Sequence, residues 1–155
     1  LLGLLGTWNL YHGSSLRARA LADRLAELGD SDAVARVFGQ SLRGHLSLAN
    51  GDTTGAIAVF ESLAPPLDSG LLPWTYGSIT PLARLKLAEL YLARGEFEQA
   101  YLAATVFDHP EPIHFIPFVR RSLEIRLQAA RELDRSDLEE RILKRITVLR
   151  GGVSN

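Results

Sequence analysis

The clearest pattern of apolar and polar positions in this chain lies between Pro81 and Pro112, PLARLKLAELYLARGEFEQAYLAATVFDHPEP. Thr80 can cap a helix, and Pro81 is tolerated at the first helical position because its missing N–H needs no partner there. Apolar residues at helical spacing continue to Gly95, and a second run of them ends at Pro110. This segment therefore predicts two antiparallel helices joined by a tight turn at Gly95.

The same order of apolar helix, short turn and apolar helix recurs along the chain. Gly13 separates the first pair of helical patterns and Gly51 the second, and Ser136-Asp-Leu-Glu139 has the spacing of a capping box that opens the last helix. We expect a frayed tail over residues 151–155. The pattern thus predicts four helical hairpins, at about residues 1–28, 31–64, 81–109 and 113–149.

The segment 64–80, APPLDSGLLPWTYGSIT, is rich in proline and glycine and is predicted to be a loop between the second and third hairpins. Its large apolar residues indicate that the loop is held against the protein, and we expect Trp74 to be at least partly buried. Asp30 or Ser31 is predicted to cap the third helix and Asp52 the fourth.

The central hairpin resembles the tetratricopeptide repeat, a helical hairpin of roughly 34 residues with the pattern W-x2-L-G-x2-Y, then A-x3-F, then P. The leucine, small, aromatic, alanine and terminal proline places are filled by Leu87, Ala88, Tyr91, Ala100 and Pro112. Arg84 stands at the first aromatic place and Ala104 at the phenylalanine place, which are departures from the pattern.

The second hairpin matches the same family at Gly44, Ala56 and Phe60 and departs from it at Arg43 and Ser47. Small residues at the matching places let two helix backbones approach closely, and a larger side chain would push the helices apart. Gly6 and Ala18 are the corresponding small residues of the first hairpin. The resemblance implies an all-α, right-handed solenoid of about four hairpins, or about eight helices.

A further resemblance is to the C-terminal helical regions of some large bacterial signalling proteins, including Ser/Thr kinases and transcriptional regulators. It is carried by LPWTY, RLKLAELYLARGEFEQA, VFDHPEP and the basic last helix. Such regions are thought to serve as sensor or docking modules. The resemblance implies a fragment of a larger regulatory protein in the cytoplasm, or outside it if the region is attached to a membrane kinase.

Composition excludes several other classes of protein. The 155 residues fit one domain, which we place at 1–150, and 46% hydrophobic residues with a formal net charge of −1 favour neither disorder nor attraction to nucleic acid. The chain has no cysteine, so disulfides and cysteine-based metal sites are excluded. The most apolar stretch, 1–11, is far shorter than the roughly 20 residues of a membrane span, and we interpret it as a buried helix.

Two groups of residues suggest chemistry. Carboxylate and imidazole ligands that would suit zinc cluster at Asp108, His109, Glu111 and His114. Pro110 and Pro112 favour an extended connection there instead. Ser41 lies in G-x-S-x-x-G, which differs from the G-x-S-x-G of a nucleophile elbow, and no strand pattern precedes it. We therefore predict no catalytic residue, no metal and no cofactor.

The arginines of the last third alternate with acidic residues, which is typical of a solvated helix face and argues against nucleic acid as a partner. In tetratricopeptide repeats, ligand peptides usually lie on a concave side lined by the first helix of each pair. The resemblance implies these peptide-groove residues: Thr7, Tyr11, Ser41, His45, Glu89, Leu92 and Arg126. Apolar residues at groove places are equally consistent with packing against a neighbouring helix, namely Leu10, Leu48, Leu85 and Leu92.

The sequence thus predicts a non-enzymatic scaffold or sensor module that binds a protein or peptide segment, with no membrane span. One alternative is a homo-oligomer formed by burying the apolar surface of an end helix. A less favoured alternative is a metal-dependent enzyme that uses the segment 108–114.

Overall fold

A computed structural model describes residues 2–63, 80–108, 116–149 and 151. Within these ranges the regular structure is entirely helical, which confirms the all-α prediction. The α-helices there are α1 Leu2–Tyr11, α2 Ser15–Leu28, α3 Ala33–Ala49, α4 Thr53–Ser62, α5 Thr80–Ala93, α6 Phe97–Thr105, α7 Ile116–Glu132 and α8 Ser136–Leu149, and a 3-10 turn, Val106–Asp108, follows α6. None of these helices is long and apolar enough to cross a bilayer. The predictions for Trp74, for the rest of the loop up to residue 79 and for 152–155 lie outside the described residues.

The chain divides into two compact units, Leu1–Ala83 and Arg84–Asn155. The first unit contains the hairpins α1–α2 and α3–α4, and the second contains most of α5 together with α6, α7 and α8. In the first unit α3 packs against α1, α2 and α4, and in the second α7 packs against α6, the 3-10 turn and α8. The stacking of all four hairpins into one solenoid stays a prediction.

The four hairpin turns share one geometry. In each, the turn residue has a left-handed backbone: Gly13 at φ 81°, Gly51 at 81°, Gly95 at 75° and Asp134 at 53°. The next backbone N–H then donates to a carbonyl of the preceding helix's last turns: Ser14 to Asn9, Asp52 to Ser47, Glu96 to Tyr91 and Arg135 to Ala130. This is the Schellman ending of a helix. Asp134 takes the place of the glycine because a short polar side chain tolerates the left-handed region better than most.

Small residues mark the close contacts of the first unit. A Cβ added at Gly6 would lie 2.2 Å from Cδ2 of Leu42, and one added at Gly44 would lie 2.5 Å from Cε1 of Phe60. Ala18 and Ala56 each follow a hairpin turn and are fully buried. The geometry supports Gly44 as a close contact between the helices of its own hairpin, whereas Gly6 contacts Leu42 of the next hairpin rather than α2.

Two apolar clusters hold the second unit together. The larger joins α5, α6, the 3-10 turn and α7 through Leu85, Ala88, Ala100, Ala103, Ala104, Phe107, Ile125 and Ala129. The smaller joins α7 to α8 through Leu123, Ala130, Ile142 and Ile146. Ala88 and Ala100 are completely buried, so no room is left at either position for a larger side chain without movement of the helices.

The predicted cap of α3 needs correction, whereas the predicted cap of α4 is confirmed. Asp32, rather than Asp30 or Ser31, caps α3, and its Oδ1 accepts from the N–H of Val34 at 2.8 Å. Asp52 caps α4 as predicted.

The predicted capping box does not form at the start of α8, because the helix begins one residue earlier than the box requires. The N–H of Glu139 donates to the carbonyl of Arg135 at 3.0 Å, so Ser136 already lies inside the helix. The carboxylate of Glu139 accepts from Nε of Arg131 at 2.6 Å. The side chain of Glu139 therefore forms an ion pair with α7, instead of the hydrogen bond to a backbone N–H that the capping box predicts.

Candidate functional site

Three of the predicted groove residues are buried. Ser41 is 7% exposed, His45 3% and Arg126 2%. Ser41 and His45 lie on α3 and Arg126 on α7, and each of these helices is covered by neighbours on several sides. The expectation that these three residues face a ligand from a groove is therefore wrong, because the family's groove places are packing positions here.

His45 belongs to an aromatic cluster that connects three helices of the first unit. Its ring meets the ring of Phe60, on α4, edge-on with centroids 5.0 Å apart, and it is tilted against Tyr11, on α1, at 6.2 Å. Such edge-to-face contacts stabilise a core beyond the area they bury. The role of His45 in this arrangement is packing.

Arg126 is held by a carboxylate from the 3-10 turn. Its Nη1 and Nη2 both donate to Asp108, the second to Oδ1 at 2.8 Å, and its Cζ lies 5.9 Å from the ring centre of Tyr101. Arg145, on α8, donates to the same Oδ1 at 2.5 Å. Partial burial alone would raise the pKa of Asp108, but the hydrogen bonds and positive charges of the two arginines outweigh it and lower the pKa below its usual value.

This arrangement bears on the zinc hypothesis. The carboxylate of Asp108 already accepts hydrogen bonds from two guanidinium groups, which would compete with a metal ion for it. His109, Glu111 and His114 lie outside the described residues. In the part of the chain that the structure describes, no group of three metal-binding side chains occurs.

The remaining predicted groove residues have different environments. Thr7 donates through Oγ1 to the carbonyl of Gly3 at 3.1 Å. Glu89 accepts from Lys86 at 2.6 Å and from Arg121, on α7, at 3.0 Å. Burial would raise the pKa of Glu89, but these two hydrogen bonds keep it below its usual value. Leu92 is half-buried against the larger cluster of the second unit.

Tyr11 is the predicted groove residue with the greatest exposure, 59%, and it is part of a wider apolar surface on α1. Leu5 is 42% and Trp8 58% exposed, and the ring of His12 stacks on that of Trp8 with centroids 4.0 Å apart. We name this surface, formed by Leu5, Trp8, Tyr11 and His12, the α1 face. The interpretation of residues 1–11 as a buried helix is wrong for this face.

The position of Trp8 along α1 indicates that the α1 face is a surface of the kind that packs between hairpins elsewhere in the chain. Counted back from the turn residue, Trp8 corresponds to Leu46 on α3 and to Ala129 on α7. Both of those residues are buried against the preceding hairpin: Leu46 packs in a cluster with Ala18, Ala22 and Leu25 of α2, and Ala129 packs in a cluster with Ala100, Ala103 and Ala104 of α6. The α1 face therefore presents a hairpin-stacking position to solvent.

Sequence reasoning missed the α1 face because an uncharged, apolar helix indicates burial on every side. Aligning the hairpins on their turn residues could have predicted the α1 face. That alignment places a tryptophan where two of the other hairpins have buried residues, Leu46 and Ala129.

Ser41 lies in the middle of α3, whose residues 33–49 are helical throughout. A nucleophile elbow requires a strand directly before the serine, so the local structure does not match that site. Comparisons with protein-family models, curated proteins and solved structures gave no match to this chain.

Proposed function

We propose that this chain is a non-enzymatic protein-interaction module that binds an apolar helical segment of a partner protein on the α1 face. The observation that carries the proposal is the exposure of Trp8 at a position where the equivalent residues Leu46 and Ala129 are buried between hairpins.

The chemistry of the α1 face supports an apolar protein partner. Helix α1 contains no charged residue, and two of its exposed side chains are the aromatic types that are enriched in interface hot spots. Trp and Tyr bury a large area while losing little side-chain freedom. An acidic or basic ligand would find no opposite charge on this helix.

The internal contacts of the first unit support a helical occupant. At the corresponding position of α3, Leu46 packs against helix α2, and the glycines Gly6 and Gly39 let the two hairpins approach closely. An equivalent helix on the α1 face would reproduce a packing mode that this protein already uses. The resemblance to docking regions of bacterial signalling proteins supports the same assignment, and with it a cytoplasmic setting. The stacking of the hairpins into a right-handed tetratricopeptide-like solenoid belongs to the proposal, and the shared geometry of the four turns supports it.

Site-specific photo-crosslinking tests the proposal. The photoreactive residue p-benzoylphenylalanine replaces Trp8 in one variant and Leu16 in another, because Leu16 is an 80% exposed apolar residue of the same unit outside the α1 face. We expect a discrete crosslink to a partner protein from position 8 and none from position 16. Adding Leu5→Glu should abolish the crosslink, and the purified partner should then bind the wild-type chain in titrations.

Two results would contradict this function. Crosslinks of equal yield from positions 8 and 16 would show that the α1 face has no special affinity. Crosslinking of the purified chain only to itself, with a molecular mass that rises with concentration in sedimentation, would instead support the self-association alternative. The metal-dependent alternative would gain support only from stoichiometric zinc in the purified protein.

A further inference from the structure

We propose a second docking site on α8, whose ligand is an acidic amphipathic segment of another protein. The site is a groove between α7 and α8 with a volume of ≈ 440 Å³, lined by Val119, Arg141, Lys144, Arg145, Val148 and Leu149. We name it the α8 groove. It lies within the second unit and has a different chemistry from the α1 face, so it goes beyond the function proposed above.

The groove follows from the spacing of residues on α8. Arg141, Lys144, Arg145 and Val148 recur at intervals of three and four residues, so their side chains project from the same side of the helix. The neighbouring side of α8 buries Ile142 and Ile146 against α7. Val148 and Leu149 remain 64% and 55% exposed, which leaves apolar surface next to the three positive charges.

Two of the three cations of the groove, Arg141 and Lys144, have no described carboxylate within 4.0 Å, whereas Arg145 is paired with Asp108. From Lys86 to Arg145, every other described Lys or Arg has a described carboxylate within 4.0 Å. Arg145 is anchored by Asp108, so its position at the edge of the groove is fixed. Two exposed cations without a described acidic partner, beside apolar side chains, favour a ligand that offers carboxylates and an apolar residue together.

The apolar residues that line the α8 groove favour an acidic peptide over nucleic acid or a membrane as its ligand. Nucleic acid binds mainly through cation contacts to its phosphates, which Val119, Val148 and Leu149 do not provide. A helix that lies on a membrane presents a protruding apolar side, whereas these residues line a concave surface between two helices. An acidic peptide with bulky apolar residues can fill the groove and pair with Arg141 and Lys144 at its rim.

Fluorescence anisotropy with a designed probe tests this site. The probe is a fluorescein-labelled peptide as long as α8, with Glu and Asp on one side of its helix and Leu and Phe on the other. The charge-reversal pair Arg141→Glu and Lys144→Glu should weaken its binding by about tenfold or more, because two attractive contacts become repulsive. The matched control is Arg17→Glu with Arg19→Glu, two exposed cations of α2 with no described ion pair, which should change binding by less than about twofold. All variants should melt like the wild type.

Further measurements separate the alternatives. Val148→Ser should weaken binding without any change of charge, and binding should fall as salt is raised. The proposal is overturned if the wild type does not bind the probe or if both charge-reversal pairs weaken it equally. It is also overturned if a Leu- and Phe-free acidic peptide binds as tightly, or if phosphatidylserine vesicles or single-stranded RNA bind better than the probe. None of these outcomes depends on Trp8, so they are separate from the test of the α1 face.

Discussion

Two buried polar side chains of this protein, His45 and Arg126, are placed among aromatic rings or against opposite charge. His45 packs between the rings of Phe60 and Tyr11, and Arg126 is neutralised by Asp108 and covered by Tyr101. Removing such a group leaves a cavity or an unpaired charge, and both are costly. Single residues in these two places therefore determine stability rather than ligand contact.

The change His45→Ala should lower the free energy of unfolding by about 2 kcal/mol, because it removes a buried ring that contacts two others. The matched control is His12→Ala, since His12 is exposed and stacks only on the surface residue Trp8. Urea denaturation followed by circular dichroism measures both. Equal denaturation midpoints for the two variants would show that the packing of His45 contributes nothing to stability.

At the level of helices, local signals were sufficient to predict most of the structure. The turn glycines Gly13, Gly51 and Gly95 and the cap Asp52 were all recognised in the sequence, because each acts through its own backbone neighbourhood. The turn at Asp134 has no glycine, and its position was predicted only from the capping-box spacing of Ser136 and Glu139. Asp30, Ser31 and Asp32 are all of residue types that can cap α3. The path of the chain before α3 determines that Asp32 does so.

The candidate site was harder to predict than the helices. Whether a residue on a first helix faces solvent depends on which helices pack beside it, and apolar periodicity does not contain that information. Ser41, His45 and Arg126 were assigned by alignment to a family pattern, and all three are covered by neighbouring helices. Tyr11 contacts His45 but is still 59% exposed on the α1 face.

The crossing of α5 and α6 yields a prediction about overpacking. Ala100→Leu should destabilise the protein by about 1 to 3 kcal/mol, since Ala100 is fully buried in a cluster with Ala88 and the added atoms have no free space. Glu98→Leu, an exposed change in the first turn of the same helix, should have little effect. Thermal melts of the two variants provide the comparison. Similar melting shifts would place the close contact of the two helices elsewhere.

At the scale of the whole molecule, charge is distributed unevenly between the two units. Most ion pairs of the described chain lie in the second unit, where Glu89 connects α5 to α7 and Asp108 connects the 3-10 turn to α7 and α8. The first unit relies on glycine and alanine contacts and on its aromatic cluster. The dependence of stability on pH should therefore arise mainly in the second unit.

The last prediction concerns acid unfolding. Because the native pKa of Asp108 is lowered, its ion pairs stabilise the protein fully above the ordinary carboxyl pKa of about 4 and are lost as pH falls through the lower native value. Asp108→Asn should cost about 2 kcal/mol near neutral pH, a figure reduced for the partial exposure of the carboxylate, and should flatten the loss of stability below about pH 4. Asp137→Asn, which removes an exposed carboxylate of the same unit, should keep the wild-type dependence. Urea denaturation at a series of acidic pH values measures the slopes. If Asp108→Asn retained the full acid slope, the interactions of Asp108 with Arg126 and Arg145 would not be the source of the pH dependence.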